Sequence, residues 1–182
     1  MKLNKTNIKG LVEIEASVFE DERGYFFESY NKKKYSEIGI DAEFVQDNQS
    51  KSQKGVLRGL HLQKKPFAQA KLVKVIKGSV LDVAVDLRKD SKTYGQYHSV
   101  VLSGENKKSL WIPEGFAHGF LTLEDDTIFT YKVSNYYNKE SELCIKWNDE
   151  DLNINWQLNN ITPMISDKDK EGIKFENFSS DF

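Results

Sequence analysis

The chain has little of what usually builds a redox, metal or membrane site. One cysteine, Cys144, stands in 182 residues, so no intrachain disulfide and no cysteine-based metal cluster can form. There are three prolines, none of them clustered, so no linker divides the chain. No stretch approaches the roughly 20 apolar residues of a membrane-spanning helix. Met1 to Gly10 is polar and lysine-rich, without the apolar centre of a signal peptide, and the cytoplasm is the expected location. Net charge is only -2, which gives no global reason to expect nucleic acid or an anionic membrane as partner. No glycine-rich dinucleotide motif is present. An anionic ligand would need a local basic cluster.

What is present is strand signal. Short runs rich in Val, Ile, Leu, Phe and Tyr recur about every ten residues between Gly, Asn, Asp and Ser. Strands are expected at 11–14, 24–30, 43–46, 56–63, 70–76, 79–87, 97–102, 109–112, 119–123, 128–133 and 143–147. Leu81, Val83, Val85 and Leu87 alternate cleanly with Asp82, Ala84 and Asp86. This pattern predicts an all-β sandwich or barrel as a single domain over 1–182, with its core about 10–150 and a tail about 151–182. Short peripheral helices are expected at Asn31–Ile38, capped by Asn31, and around Asp167–Gly172. From Asn177 onward the tail lacks periodicity and is expected to be loosely held.

Candidate chemistry starts from three histidines. His98, in a plain strand, reads as a solvent-facing structural residue. His61 lies in Gly55-Val-Leu-Arg-Gly-Leu-His-Leu-Gln. Strict alternation would put His61 with Leu57, Gly59 and Gln63 on one face, and Arg58 with Leu60 and Leu62 on the other. Two glycines in that run suggest a bend or a close approach. His118 follows the turn residues Pro113 and Gly115. Each of these two imidazoles reads equally as a site residue or a hydrogen-bonded structural one. Metal-binding barrels often carry a second histidine two residues after the first. Here that position is Gln63, and no metal is expected. Arg23, Arg58 and Lys71 are cations beside glycines or on barrel strands. A diphosphate would offset their burial, and so would Glu28, Asp82 or Asp86.

The blocks Asp21-Glu-Arg-Gly-Tyr-Phe-Phe-Glu-Ser-Tyr, Gln46-Asp-Asn-Gln-Ser, Gly55 to Gln63, Gln69-Ala-Lys-Leu-Val, Val80 to Arg88, Trp111 to Phe120, Tyr131-Lys, Tyr136 to Glu142 and Ile165-Ser-Asp-Lys-Asp occur in order along the chain. Together they resemble the dTDP-4-dehydrorhamnose 3,5-epimerases. The resemblance implies a cupin-like jelly-roll barrel, a homodimer with an exchanged N-terminal strand, and a dTDP-sugar substrate. It implies no cofactor. It marks His61 as the general base, Asp169 as the carboxylate orienting it, Tyr131 as the proton donor on the opposite face, and Lys71 as the group near the C4 oxygen. It marks Arg23, Phe26, Glu28, Gln46, Asp47, Asn48, Arg58, His118 and Glu142 as substrate contacts, and Tyr137 as the aromatic that stacks on thymine. Lys168 falls where a basic residue is common, and a lysine lacks the bidentate grip of arginine.

The implied chemistry is physically coherent. A ketone at C4 acidifies the C3 and C5 protons, because removing either gives an enolate. An imidazole near its ordinary pKa of about 6.5 suits the task, and no redox cofactor is needed since the substrate already holds the ketone. Single-site epimerases and ketoisomerases share such blocks. A non-catalytic sugar-binding barrel would be expected to lack His61, Tyr131 or Asp169.

Overall fold

A computed structural model describes residues 1–182. In chain order its strands are β1 (Lys2–Lys5), β2 (Val12–Glu15), β3 (Phe19–Asp21), β4 (Gly24–Phe26), β5 (Gln46–Ser52), β6 (Val56–Gln63), β7 (Lys71–Lys77), β8 (Ser79–Asp86), β9 (Tyr97–Ser103), β10 (Lys108–Ile112), β11 (Phe116–Thr122), β12 (Thr127–Val133), β13 (Glu142–Cys144) and β14 (Met164–Ile165). Helix α1 spans Lys32–Glu37 and α2 spans Asp167–Lys170. One sheet has the order β1-β2-β10-β7-β12-β5, and the other β13-β6-β11-β8-β9, with β14 added beside β6. The strands β3 and β4 form a separate hairpin.

The two sheets face each other, and alternation decides what lies between them. From the first sheet Val73, Val75, Leu110, Ile112 and Phe129 point inward. From the second sheet Val80, Ala84, Phe116 and Phe120 meet them. The clean alternation of β8 therefore does not divide core from solvent. All eight of its residues are buried. Leu81, Val83, Val85 and Leu87 face out of the barrel, under Leu152, Trp156 and Phe178 of the C-terminal segment.

That segment is docked rather than loose, contrary to the expectation from its lack of periodicity. Phe178 is only 7% exposed, the Ser180 hydroxyl donates to the Leu87 carbonyl, and the Lys89 amide donates to the Phe182 carbonyl. Its order comes from single anchors, not from a repeating face. The helices fall where expected. Asn31 caps α1 by accepting from the Lys34 amide, and Ser166 caps α2 by accepting from the Asp169 amide.

Several strand expectations need correction. The predicted strand at 24–30 stops at Phe26, and that at 43–46 lies instead at Gln46–Ser52. The strands β1, β3 and β14 were not predicted; β1 carries one apolar residue in four, and β3 and β14 are only three and two residues long. His98 is not solvent-facing: its Nε2 lies 2.9 Å from Glu13 of β2, so it ties the two sheets together at one edge.

The run around His61 breaks strict alternation. Register partners pair His118 with His61 but Phe120 with Arg58, so two residues of β6 oppose one of β11. This is a bulge at Gly59–Leu60. A Cβ at Gly59 would lie 2.6 Å from the Gly119 Cα, and its φ of +115° is left-handed. The close approach anticipated for these glycines is made by the neighbouring strand's backbone. Because of the bulge, Arg58 and His61 face the same side, while Leu57, Leu60 and Leu62 pack outward.

Candidate active site

A cavity of about 440 Å³ opens between the sheets. The first sheet contributes Gln46, Asn48 and Ser50 of β5, Lys71 of β7, and Phe129 and Tyr131 of β12. The second contributes Arg58, His61 and Gln63 of β6, His118 and Phe120 of β11, and Glu142 of β13. Tyr137 stands at the rim, about half exposed.

His61 is held from behind by the C-terminal segment. Asp169, 3% exposed, places Oδ1 at 2.6 Å from His61 Nε2 and accepts the Gly59 amide at 3.2 Å through Oδ2. Burial would raise the Asp169 pKa, but the hydrogen bond and charge of His61, the Gly59 amide and the Ser166 side chain bring it below the usual carboxylate value. An anionic Asp169 accepts a hydrogen bond from the His61 Nε2–H, which leaves the His61 Nδ1 lone pair free.

Across the cavity, burial raises the Tyr131 pKa, so this hydroxyl keeps its proton. Lys71 is 7% exposed and donates to the His61 carbonyl at 3.4 Å. Burial pulls its pKa down to about 8, against the opposing pull of Asp82 and Glu142. Arg58 donates to the Ser52 hydroxyl at 3.2 Å. Neither Lys71 nor Arg58 has a carboxylate within 4 Å, so both cations are available to an anionic or enolate oxygen. Burial lowers the pKa of His118, whose Nε2 lies 3.0 Å from both oxygens of Asp82.

The rim carries its own network. Glu142 accepts the Tyr137 hydroxyl at 2.8 Å and pairs with Lys168 at 2.5 Å. Lys168 thus reaches the site through Glu142.

Four expected substrate contacts lie elsewhere in their own chain. Arg23 sits on the β3–β4 hairpin, its side chain 85% exposed and paired only with Asp21. Phe26, on the same hairpin, is 67% exposed. Glu28 pairs with Lys34 beside α1. Asp47 points to the outer face of β5, 2.9 Å from Lys132, because alternation gives the cavity Gln46 and Asn48 instead. Sequence reasoning missed Ser50, Phe120 and Phe129 as lining residues. It noted Gln63 and Asp82 without giving either a site role. The one usable signal was a charged residue, Asp82, at an inward position of an apolar strand.

One group has metal-type donors: His61, Cys144 and Asp169 offer nitrogen, sulfur and oxygen within 4.8 Å of one another. It fits a resident ion poorly. The imidazole and carboxylate touch at 2.6 Å, whereas two ligands on a tetrahedral ion with bonds of 2.0–2.1 Å stand roughly 3.3 Å apart. Burial also pushes the Cys144 thiol up to about 12, which disfavours the thiolate a metal needs.

A carboxylate-held imidazole on one sheet, with a protonated tyrosine and a buried lysine on the facing sheet, defines a cupin-like isomerase site equipped for proton transfer. The comparisons give the particular family. The model of the dTDP-4-dehydrorhamnose 3,5-epimerases matches residues 5–177. A curated dTDP-4-dehydrorhamnose 3,5-epimerase of Shigella flexneri is 54% identical over 176 residues, covering 96% of each chain. The crystal structure of the enzyme of that name from Elizabethkingia anophelis superposes with a TM-score of 0.92 at 53% identity, covering 97% of each chain. A dTDP-6-deoxy-D-glucose-3,5-epimerase of Legionella pneumophila, solved with dTDP-4-keto-L-rhamnose, gives a TM-score of 0.94 at 47% identity, covering 98% of this chain and 94% of its own. This chain belongs to the dTDP-4-dehydrorhamnose 3,5-epimerase family, and it is an isomerase.

Proposed function

We propose that the chain inverts C3 and C5 of dTDP-4-keto-6-deoxy-D-glucose, giving dTDP-4-keto-L-rhamnose for dTDP-L-rhamnose synthesis. The carrying observation is that His61 and Tyr131 belong to facing sheets with one cavity between them. A sugar ring lying there meets the base on one face and the acid on the other. His61 Nδ1 removes the proton from the carbon beside the ketone. The electron pair moves onto the C4 oxygen, where the Lys71 ammonium stabilises the enolate. The Tyr131 hydroxyl then delivers a proton to the opposite face, and the configuration is inverted. His61 has gained a proton and Tyr131 has lost one, so proton return through solvent resets the pair before the second carbon reacts. Arg58 and His118 face the diphosphate, Gln46, Asn48 and Glu142 the nucleoside, and Tyr137 stacks on the base.

The β3–β4 hairpin supports a homodimer in which Arg23, Phe26 and Glu28 complete a partner's cavity. It exposes Phe19, Tyr25 and Phe26, each more than half, together with the cation Arg23. A face of that kind calls for cover. On this reading residues 1–182 form one catalytic domain, working in the cytoplasm. No helix is long and apolar enough to cross a membrane.

The test is incubation with dTDP-4-keto-6-deoxy-D-glucose in deuterated water, followed by NMR. Deuterium is expected at both C3 and C5; exchange at one carbon only would make this a single-site epimerase. Dialysis against a chelator is expected to leave turnover unchanged. For the dimer, mixing inactive Arg23→Ala and His61→Ala subunits is expected to restore activity, and light scattering of a fully active monomer would exclude it.

A further inference from the structure

Two aspartates of β8 are wholly buried, and they are held very differently. Asp86 is satisfied on all sides: it accepts from the Arg88 guanidinium twice at 2.8 Å, from the Ser91 hydroxyl at 2.6 Å and from the Thr93 hydroxyl at 2.7 Å. It is an anchor for the turn that follows. Asp82 has one donor, the His118 Nε2, 3.0 Å from each oxygen. A buried carboxylate with a single neutral donor is costly, and an apolar side chain between Val80 and Ala84 would satisfy the core better. Its retention needs another partner.

A cation able to serve lies on the facing sheet. Lys71 is the inward cation of β7, and its one hydrogen bond in the protein is to a carbonyl at 3.4 Å. Two carboxylates act on it, Asp82 and Glu142. The other charged or titratable groups on this cavity are Arg58, His61, His118, Tyr131 and Tyr137. Glu142 is already engaged by Lys168 and the Tyr137 hydroxyl. Asp82 is the uncommitted negative charge.

We propose that Asp82 is a positioning residue, which touches no substrate, fixes the His118 ring and supplies the counter-charge that keeps Lys71 an ammonium ion beside the C4 oxygen. The inference rests on the role given to Lys71 above. It places the alkaline limit of activity under the control of a residue outside the reacting set, since burial holds the Lys71 pKa at about 8 even against the opposing pull of Asp82 and Glu142.

The experiment compares Asp82→Asn with the unaltered enzyme across pH. Asparagine keeps the shape and still accepts from His118, but removes the charge. The alkaline limb of kcat is expected to move down by about one pH unit or more, so kcat falls about tenfold at pH 8.5 and much less at pH 6.5. A folded variant whose limb stays in place, with kcat within twofold throughout, overturns the proposal. Lys71→Met serves as control: if it stays active, the role of Lys71 fails, and if it is dead while Asp82→Asn shifts nothing, only the role of Asp82 fails. Should Asp82→Asn not fold, the Lys71 Cε resonance of ¹³C-lysine-labelled unaltered enzyme decides. A midpoint near 8 supports a counter-charge, and one below about 6 overturns it.

Discussion

The two faces of the second sheet follow opposite rules. Outward, β6, β8 and β11 present Leu57, Leu60, Leu62, Leu81, Val83, Val85, Ala117 and Leu121, all buried under the C-terminal segment. Inward, the same strands present Arg58, His61, Gln63, Asp82 and His118. The outer face is interchangeable in kind: hydrophobic residues of about the right volume would serve. The inner face is divided: Val80, Ala84, Phe116 and Phe120 pack into the core between the sheets, and only its cavity half is specified atom by atom and adds little to the fold's cohesion. The C-terminal segment links the two, because it covers the apolar face and also delivers Asp169 to His61 at the edge where β6 bulges. Cover outside is what frees the inside for polar work.

The widest separation of the two faces is expected from a pair of substitutions. His61→Ala removes the base and is expected to lower kcat by at least about 10²- to 10⁴-fold, with hydrogen exchange lost at both C3 and C5. Its unfolding midpoint is expected to stay close to that of the unaltered protein, since His61 is part exposed to the cavity. Leu121→Ala, on the outer face, is expected to do the reverse. It costs about 2–5 kcal/mol of stability and leaves kcat near normal well below the unfolding temperature. A His61→Ala protein that keeps exchange at both carbons would remove the base assignment. Tyr131→Phe refines it: inversion is expected to fail more completely than exchange, because the base can still form the enolate.

Much of this division was legible in the sequence. Alternation along β8 was plain, though alternation alone cannot say that both faces are buried, since the cover comes from Leu152, Trp156 and Phe178, far along the chain. The face of Arg58 was misread because a bulge leaves no mark except the glycines that permit it. The strand β5 was placed too early because Gln46, Asn48 and Ser50, turned into a polar cavity, give no hydrophobic period. The order of the tail rests on Phe178 and Ser180, single contacts without a pattern. The ligand-facing residues were reached through family motifs, since spacing left each histidine open between site and structure.

Asp169→Asn tests the link between the faces. It keeps volume and the cap on α2 but removes the charge that holds the His61 Nε2 proton. An amide can donate to that nitrogen and so favour the wrong tautomer. Activity is expected to fall about 10- to 100-fold, less than for His61→Ala, since the imidazole remains. The stability cost is expected to be small at neutral pH. It follows from linkage: the folded pKa of Asp169 lies below its unfolded value, so its contribution is present above about 4 and is lost as pH falls through the folded pKa. Urea unfolding at pH 7 and pH 3 would show the difference from the unaltered protein shrinking with acid. An Asp169→Asn enzyme with full kcat would leave the tail as cover only.

The smallest effect separates the faces by sign. Lys71 has a folded pKa of about 8 against an ordinary 10.5, because burial disfavours its charge. Below pH 8 the folded protein carries a charged lysine at a cost of roughly 3 kcal/mol at most, from 1.36 kcal/mol per pKa unit. Between pH 8 and 10.5 the folded state has released this proton while the unfolded state still binds it. Stability from this group therefore rises with pH in that window. Activity runs the other way, because neutral Lys71 cannot stabilise the enolate, and kcat is expected to drop about tenfold per unit above pH 8. The comparison with Lys71→Met isolates the group, since other titrations are shared. Denaturant unfolding at pH 8 and pH 10 is expected to show the unaltered protein gaining on Lys71→Met. A difference that stayed flat, or that favoured Lys71→Met with rising pH, would mean that this lysine is not held against its charge and that the inner face does not trade stability for catalysis.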